Sequence, residues 1–322
     1  MKATAIFGAA ITLGALLASQ GIRAQEPVGG ATPAQDQPVF TFKSSVDLVR
    51  VAAVVRDRKG RFVKDLTERD FQVVDSGINR KIADFRHDAS PITLALLFDV
   101  SGSMESRMGQ AREAATHVLN WMDDKDDEAA VYTFDTRLEE VRPFSSGLRV
   151  LPEQLSAVKP FGATSLHDAI ARTAEKVGKR NALRRAVVVF TDGQDTASTL
   201  SPSEVSGLAS SIDVPVFIIG IVPSIDNPSA DISATTFEKS PLIGPLSSLA
   251  AWTGGQVFVV STIGDRTEMA RQLIDELRHQ YLIAFEASTV AGWHPLEVRV
   301  RNRDMNVRAR SGYIAGQSRP TN

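Results

Sequence analysis

Between residues 91 and 279, short and wholly apolar runs alternate with stretches whose apolar residues recur every three or four positions. Leu94-Ala95-Leu96-Leu97-Phe98 and Ala186-Val187-Val188-Val189-Phe190 are continuous apolar runs. Such runs are expected of strands in the middle of a sheet covered on both faces. Residues 130–134, 216–221 and 256–260 predict further strands. Helical spacing links Met108, Ala111, Ala115, Val118, Leu119 and Met122, and again Leu166, Ala169, Ile170, Ala174 and Val177. Helices are also predicted around 148–158, over 245–252 and over 266–279. This alternation predicts an α/β fold: a doubly wound, mostly parallel sheet flanked by helices.

Both ends of the chain read differently. Residues 46–55 form a β-branched run closed by the turn Asp57-Arg58-Lys59-Gly60, and 71–74 and 82–85 predict strands around Asp75-Ser76-Gly77. Near the other end, Leu296, Val298 and Val300 alternate with Glu297, Arg299 and Arg301, the pattern of a half-buried strand. Two or three strands cannot hold a stable sheet alone. The N- and C-terminal strands are therefore expected to join in one small β domain beside the α/β domain. The predicted organisation is a leader over 1–24, a linker over 25–38, an N-terminal β segment over 39–90, the α/β domain over 91–285, a C-terminal β segment over 286–315 and a tail over 316–322.

The leader rests on charge and hydropathy. Lys2 precedes an apolar stretch over 3–18, and a polar segment then leads to Ala24. That order predicts a signal peptide cleaved after Ala24, with no membrane span left once it is removed; an uncleaved membrane anchor is the alternative reading. An exported protein is expected, placed in the periplasm, at the cell surface or outside. The formal charge of −2 gives no global attraction to nucleic acid, so none is expected as a partner. The absence of cysteine excludes disulfides, thiolate metal sites and cysteine nucleophiles.

Ligands of open α/β sheets bind where strands end and helices begin. Three loops predicted at or near such ends carry oxygen-bearing side chains: Asp99-Val100-Ser101-Gly102-Ser103-Met104, Gly162-Ala163-Thr164-Ser165 and Thr191-Asp192-Gly193. Together they offer Asp99, Ser101, Ser103, Thr164 and Asp192. Three hydroxyls and two carboxylates are hard donors, suited to Mg²⁺, with Mn²⁺ or Ca²⁺ as alternatives. The helix after Ser103 would turn its positive end toward the ion, and the two carboxylates would offset it. A coordination position left open could accept a Glu or Asp of a protein partner.

Other candidates read as structural. Asp195 is expected to be a solvated loop acid and Asp168 a first-turn helix acid, while residues 123–128 lack the glycine and terminal glutamate of a calcium loop and predict a solvated turn. The histidines are scattered with no zinc-ligand pair, and His167 is assigned a surface or cap role. The connection over 222–244 is too long for an ordinary link and is expected to form part of the site's rim, with a disordered insertion as the alternative.

The order Asp-x-Ser-Gly-Ser, a distant Gly-x-Thr-Ser and an apolar strand ending Thr-Asp-Gly resembles the metal-ion-dependent adhesion site of von Willebrand factor type A domains. Residues 60–71 and 307–313 extend the resemblance to an exported bacterial subgroup common in acidobacteria. The resemblance implies that Ser101, Ser103 and Thr164 coordinate the ion directly, with Asp99 and Asp192 acting directly or through water. It implies an adhesion or scaffold module that binds a protein partner presenting Asp or Glu, and not an enzyme. A metal-free scaffold is the alternative reading. A hydrolase is disfavoured, because no Gly-x-Ser-x-Gly elbow, P-loop or dinucleotide fingerprint occurs and no catalytic residue is assigned.

Overall fold

The computed structural model describes residues 47–87, 90–211, 213–223, 232 and 244–316. The leader, the linker, most of the rim connection and most of the tail expected from the sequence lie outside the described residues.

In chain order the strands are β1 (Leu48–Arg56), β2 (Phe71–Asp75), β3 (Ile78–Arg80), β4 (Ile82–Arg86), β5 (Ile92–Asp99), β6 (Glu128–Phe134), β7 (Leu138–Ser146), β8 (Arg184–Thr191), β9 (Val216–Ile221), β10 (Val257–Val260), β11 (Tyr281–Glu286), β12 (Gly292–Val300), β13 (Asn306–Arg308) and β14 (Gly312–Ala315). The α-helices are α1 (Met108–Trp121), α2 (Glu153–Ala157), α3 (Leu166–Gly178), α4 (Pro202–Ser211), α5 (Gly244–Thr253) and α6 (Ile263–Arg278).

A six-stranded sheet runs in the order β10-β9-β8-β5-β6-β7. All its pairings are parallel except that of β7. Every residue of β5 is buried, because the strand is covered on both faces. Leu94, Leu96 and Phe98 pack with Met108 and Ala111 of α1 and with Met269 and Leu273 of α6. Ala95 and Leu97 pack on the opposite face with Ile170 of α3, Val205 of α4 and Leu249 of α5. Each such leucine removed from water stabilises the fold by about 1.5–3 kcal/mol. The doubly wound α/β architecture is thus present as the apolar runs predict.

Three elements of the α/β domain differ from the sequence reading, and the terminal sheets add the short strands β3, β13 and β14. Strand β7 is an unpredicted antiparallel edge: its residues are only half-buried or exposed, so the apolar signal is weak, and it tolerates Pro143 because an edge strand has N–H groups to spare. Helix α4 is weakly periodic, but Ser201 and Glu204 cap it reciprocally, Ser201 N–H to Glu204 Oε2 at 2.8 Å and Glu204 N–H to Ser201 Oγ at 3.3 Å. Helix α6 begins at Ile263 rather than Arg266. Thr262 and Asp265 close a capping box there, with Thr262 N–H to Asp265 Oδ2 at 2.8 Å and Asp265 N–H to Thr262 Oγ1 at 3.2 Å.

The terminal strands build two further four-stranded sheets, β13-β1-β11-β4 and β14-β12-β2-β3. Each mixes strands from both ends of the chain. Val51 lies opposite Ile283, and Val73 opposite Val298. Strand β11 thus pairs with β1 and β4 and not with the parallel sheet. Val51, Val73, Tyr281, Phe285, Val298 and Tyr313 share one apolar core between the two sheets. A buried carboxylate locks it: Asp75 accepts hydrogen bonds from Arg80 Nε at 2.9 Å and from Tyr313 Oη at 2.9 Å, and lies 3.1 Å from His294 Nδ1.

Candidate functional site

Strand β5 lies between β6 and β8, and the parallel register sets Asp99 beside Phe134 and Phe98 beside Phe190. The loops that follow these strands therefore leave one edge of the sheet. This edge is also the switch point, since the chain passes from β5 to β6 on one side and returns to β8 on the other.

Asp99, the last residue of β5, is fully buried. Its Oδ1 accepts the Ser101 N–H at 2.9 Å, and its Oδ2 accepts the Thr191 hydroxyl at 2.6 Å. Ser101 is also buried, and its Oγ lies 3.2 Å from that of half-buried Ser103. Residues Gly102–Met104 form one 3-10 turn, closed by Met104 N–H to Ser101 O at 3.1 Å. Helix α1 starts only at Met108. The helix expected after Ser103 is present with the spacing from Met108 that the sequence predicts, and the short turn intervenes before it.

The second loop is laced to the first. Phe161 N–H donates to Val100 O at 2.9 Å and Gly102 N–H to Gly162 O at 3.1 Å. Gly162 has φ +86°, a left-handed conformation that favours glycine. Thr164 is buried; its N–H donates to Thr196 Oγ1 at 2.9 Å, and its carbonyl accepts the N–H groups of Thr196 and Ala197, both at 2.9 Å. These bonds tie the second loop to the third. In the third loop, Gly193 N–H donates to Thr191 Oγ1 at 3.0 Å, so the Thr191 hydroxyl links Asp99 to the backbone beside Asp192.

Asp192 is buried and accepts from Gln194 N–H at 3.2 Å and from Arg107 Nη1 at 2.9 Å. The same arginine nitrogen donates to Ser103 O at 2.8 Å. The structure thus brings the loops carrying Asp99, Ser101, Ser103, Thr164 and Asp192 together and adds Arg107, which the sequence reading missed. The sequence shows a cation just before α1, but its role comes from the contact with Asp192, 85 residues away in the chain.

The electrostatics are unbalanced. Burial pushes the Asp99 carboxyl up to about 6, the hydrogen bonds from Ser101 and Thr191 resist it, and the charge of Asp192 adds to the rise. The ionised form of Asp99 is therefore disfavoured, even with Arg107 beside Asp192. The donors are all oxygen, two carboxylates and three hydroxyls, which fits a hard divalent ion. Among the described residues no three His, Cys, Asp or Glu side chains cluster in the manner of a metal site; a set dominated by hydroxyls is a different kind.

The neighbouring candidates staple loops. Asp195 is not a solvated acid: it accepts from Leu166 N–H at 2.8 Å and Ser198 Oγ at 2.6 Å, and lies 3.1 Å from His167 Nδ1. His167 is accordingly buried and not on the surface. Asp168, in the first turn of α3 as expected, accepts Thr199 N–H at 3.1 Å and Leu200 N–H at 2.9 Å. The turn over 123–128 is solvated only in part, because Asp127 is buried against Ile92 N–H at 2.9 Å and Arg278 Nη2 at 2.7 Å.

Residues 94–194 match the von Willebrand factor type A domain family, and that span contains all five oxygen-bearing candidates. No curated protein matches the sequence. Solved structures with a similar fold include an aerotolerance-related membrane protein from Bacteroides fragilis, 16% identical over 58% of this chain and 98% of that one, with a TM-score of 0.45. Proximal thread matrix protein 1 from the mussel byssus, in a form with a zinc-occupied MIDAS motif, is 19% identical over 63% of this chain and 50% of that one, with a TM-score of 0.45. A von Willebrand factor type A protein from Catenulispora acidiphila is 12% identical over 85% of this chain and 74% of that one, with a TM-score of 0.46.

Proposed function

Because the chain carries a von Willebrand factor type A domain, we propose that it is a metal-ion-dependent protein-binding module, an adhesion or scaffold unit. In this reading Asp99, Ser101, Ser103, Thr164 and Asp192 hold Mg²⁺, or Mn²⁺ or Ca²⁺ in its place. The observation that carries it is the meeting of three loops at one sheet edge, with two buried carboxylates beside a hydroxyl pair 3.2 Å apart.

Once bound, the ion supplies a Lewis-acidic position for a carboxylate from outside. The chain's own residues supply the rest. Three neutral hydroxyls and two carboxylates leave a divalent charge only just balanced, which favours an Asp or Glu of a partner protein. The lacing of the loops through Thr191, Gly162 and Thr164 fixes the donors beforehand, so little ordering cost falls on binding. Ser103 is a poor nucleophile: among the described residues its hydroxyl meets only that of Ser101. We assign no catalytic step. The charge and hydropathy of residues 1–24 support export to the periplasm, cell surface or exterior; no described helix is long and apolar enough to cross a membrane.

A metal-free scaffold is favoured by one observation, the contact of Arg107 with Asp192, in which a guanidinium already supplies a cation. Thermal unfolding separates the readings. A ligand that binds only the folded state must stabilise it, so Mg²⁺ or Mn²⁺ raises the midpoint of the wild type and leaves that of Asp99→Ala unchanged. A wild-type midpoint blind to both ions selects the scaffold. Retrieval of a partner from cell-envelope extract, lost on adding chelator, tests the binding function.

A further inference from the structure

A second concave site lies on the terminal sandwich, away from the loops just described. The end of β1, the turn that follows it and helix α6 enclose a cavity of about 400 Å³ lined by Arg56, Arg61, Phe62, Lys64, Arg271 and Gln272. Four of these side chains are cationic and none is acidic. The volume falls within the range of pockets that take small molecules.

The lining is held in place. Asp57 accepts Lys59 N–H at 2.8 Å, Arg61 N–H at 2.9 Å and Arg61 Nε at 2.8 Å, which fixes the turn and uses up that carboxylate. Arg56 bridges back to Phe62 across the turn, donates to Gly60 O at 2.8 Å and stacks its guanidinium 4.0 Å over the Phe62 ring. Phe62 in turn stacks on His279 at 4.9 Å. The segment bearing Lys64 is anchored through Tyr281, whose hydroxyl donates to Val63 O at 2.9 Å and accepts Leu66 N–H at 3.2 Å. Arg271 is gripped by Glu268 at 2.6 Å and Asp275 at 3.0 Å along α6.

The charges are not balanced within the cavity. Arg61 and Arg271 have carboxylate partners, but among the described residues no carboxylate pairs with Arg56 or Lys64. Burial and the nearby charge of Arg271 hold the Arg56 guanidinium below its ordinary range, and Asp275 only partly compensates. Half-buried Arg308 feels the same Arg56 charge and is itself paired with Glu276. Like charges gathered in a concavity focus the field outward, and a planar guanidinium with free N–H groups matches a carboxylate or phosphate face.

We propose that this cavity binds a small polyanion, a compound carrying two or more carboxylate or phosphate groups, with Arg56 and Lys64 as its primary anchors. The inference is independent of the metal reading. It is tested by calorimetric titration of the purified full chain with pyrophosphate and with citrate, in buffer free of divalent cations, against sodium chloride at matched ionic strength. Saturable one-to-one binding of at least one probe is expected, and the preferred probe tells phosphate from carboxylate chemistry. Lys64→Gln, at an exposed position, is expected to weaken binding at least fivefold, and Arg56→Gln further. Absence of binding to both probes, or unchanged affinity in Lys64→Gln, overturns the proposal.

Discussion

One nitrogen of Arg107 reaches both Asp192 Oδ2, at 2.9 Å, and the carbonyl of Ser103, at 2.8 Å. A guanidinium therefore bridges two of the residues proposed to hold a divalent ion, and cation and guanidinium compete for the same carboxylate. On this reading Arg107→Gln tightens Mn²⁺ binding by about tenfold, about 1.4 kcal/mol. Calorimetry on wild type and variant checks it. Wild-type binding that weakens in the variant identifies Arg107 as a support of the loop; no binding in either overturns the metal reading itself.

The Thr191 hydroxyl donates to Asp99 Oδ2 at 2.6 Å. Thr191→Val keeps the side chain's shape and leaves a fully buried carboxylate oxygen without that partner. The expected loss is about 1–3 kcal/mol of stability, read as a lower urea midpoint with the slope unchanged.

Asp75 governs the pH dependence of the terminal sandwich. Burial raises its carboxyl, but hydrogen bonds from Tyr313, Arg80, His294 and Ser76 outweigh that and hold it below the usual carboxylate range. The folded state thus favours the ionised form. Its contribution is complete above the unfolded value of about 4 and fades as pH falls through the lower folded value. Urea titrations should show Asp75→Asn about 2 kcal/mol less stable than wild type at pH 6. That gap should narrow at pH 3; a gap that stays constant assigns the effect to shape rather than charge.

Two glycines make a contrasting pair. A Cβ on Gly255 would lie 2.0 Å from Val216 O, whereas one on Gly264 meets nothing nearer than Thr262 Oγ1 at 3.7 Å. Gly255→Ala should cost about 2–3 kcal/mol through forced backbone movement. Gly264→Ala, inside α6, should instead stabilise by about 0.5–1 kcal/mol. Parallel thermal denaturation of both variants settles the comparison.

Much of this arrangement is legible in the sequence where the signal is local. Strand β5 reads correctly because a strand buried on both faces needs only apolar residues, and α1 and α3 because one face repeats. The oxygen-bearing side chains sit in three short contiguous motifs, so residue type and position after a strand suffice to single them out. Arg107, Thr191 and the Asp195–His167 contact escaped because their roles depend on which loops meet in space. Strand β7 escaped because an edge that pairs on one side carries few apolar residues. Helix α4 shows its start only in Ser201 and Glu204, not in periodicity.

The interleaving of β1 with β11 and of β2 with β12 fixes the order in which the chain can mature. During synthesis β1 emerges more than two hundred residues before its partner β11, and β2 has only β3 beside it until β12 follows, since Val51 waits for Ile283 and Val73 for Val298. Closing so large a loop is slow and entropically costly. A chain that stops short of Tyr281 lacks the strand that lies between β1 and β4, so neither can close its sheet.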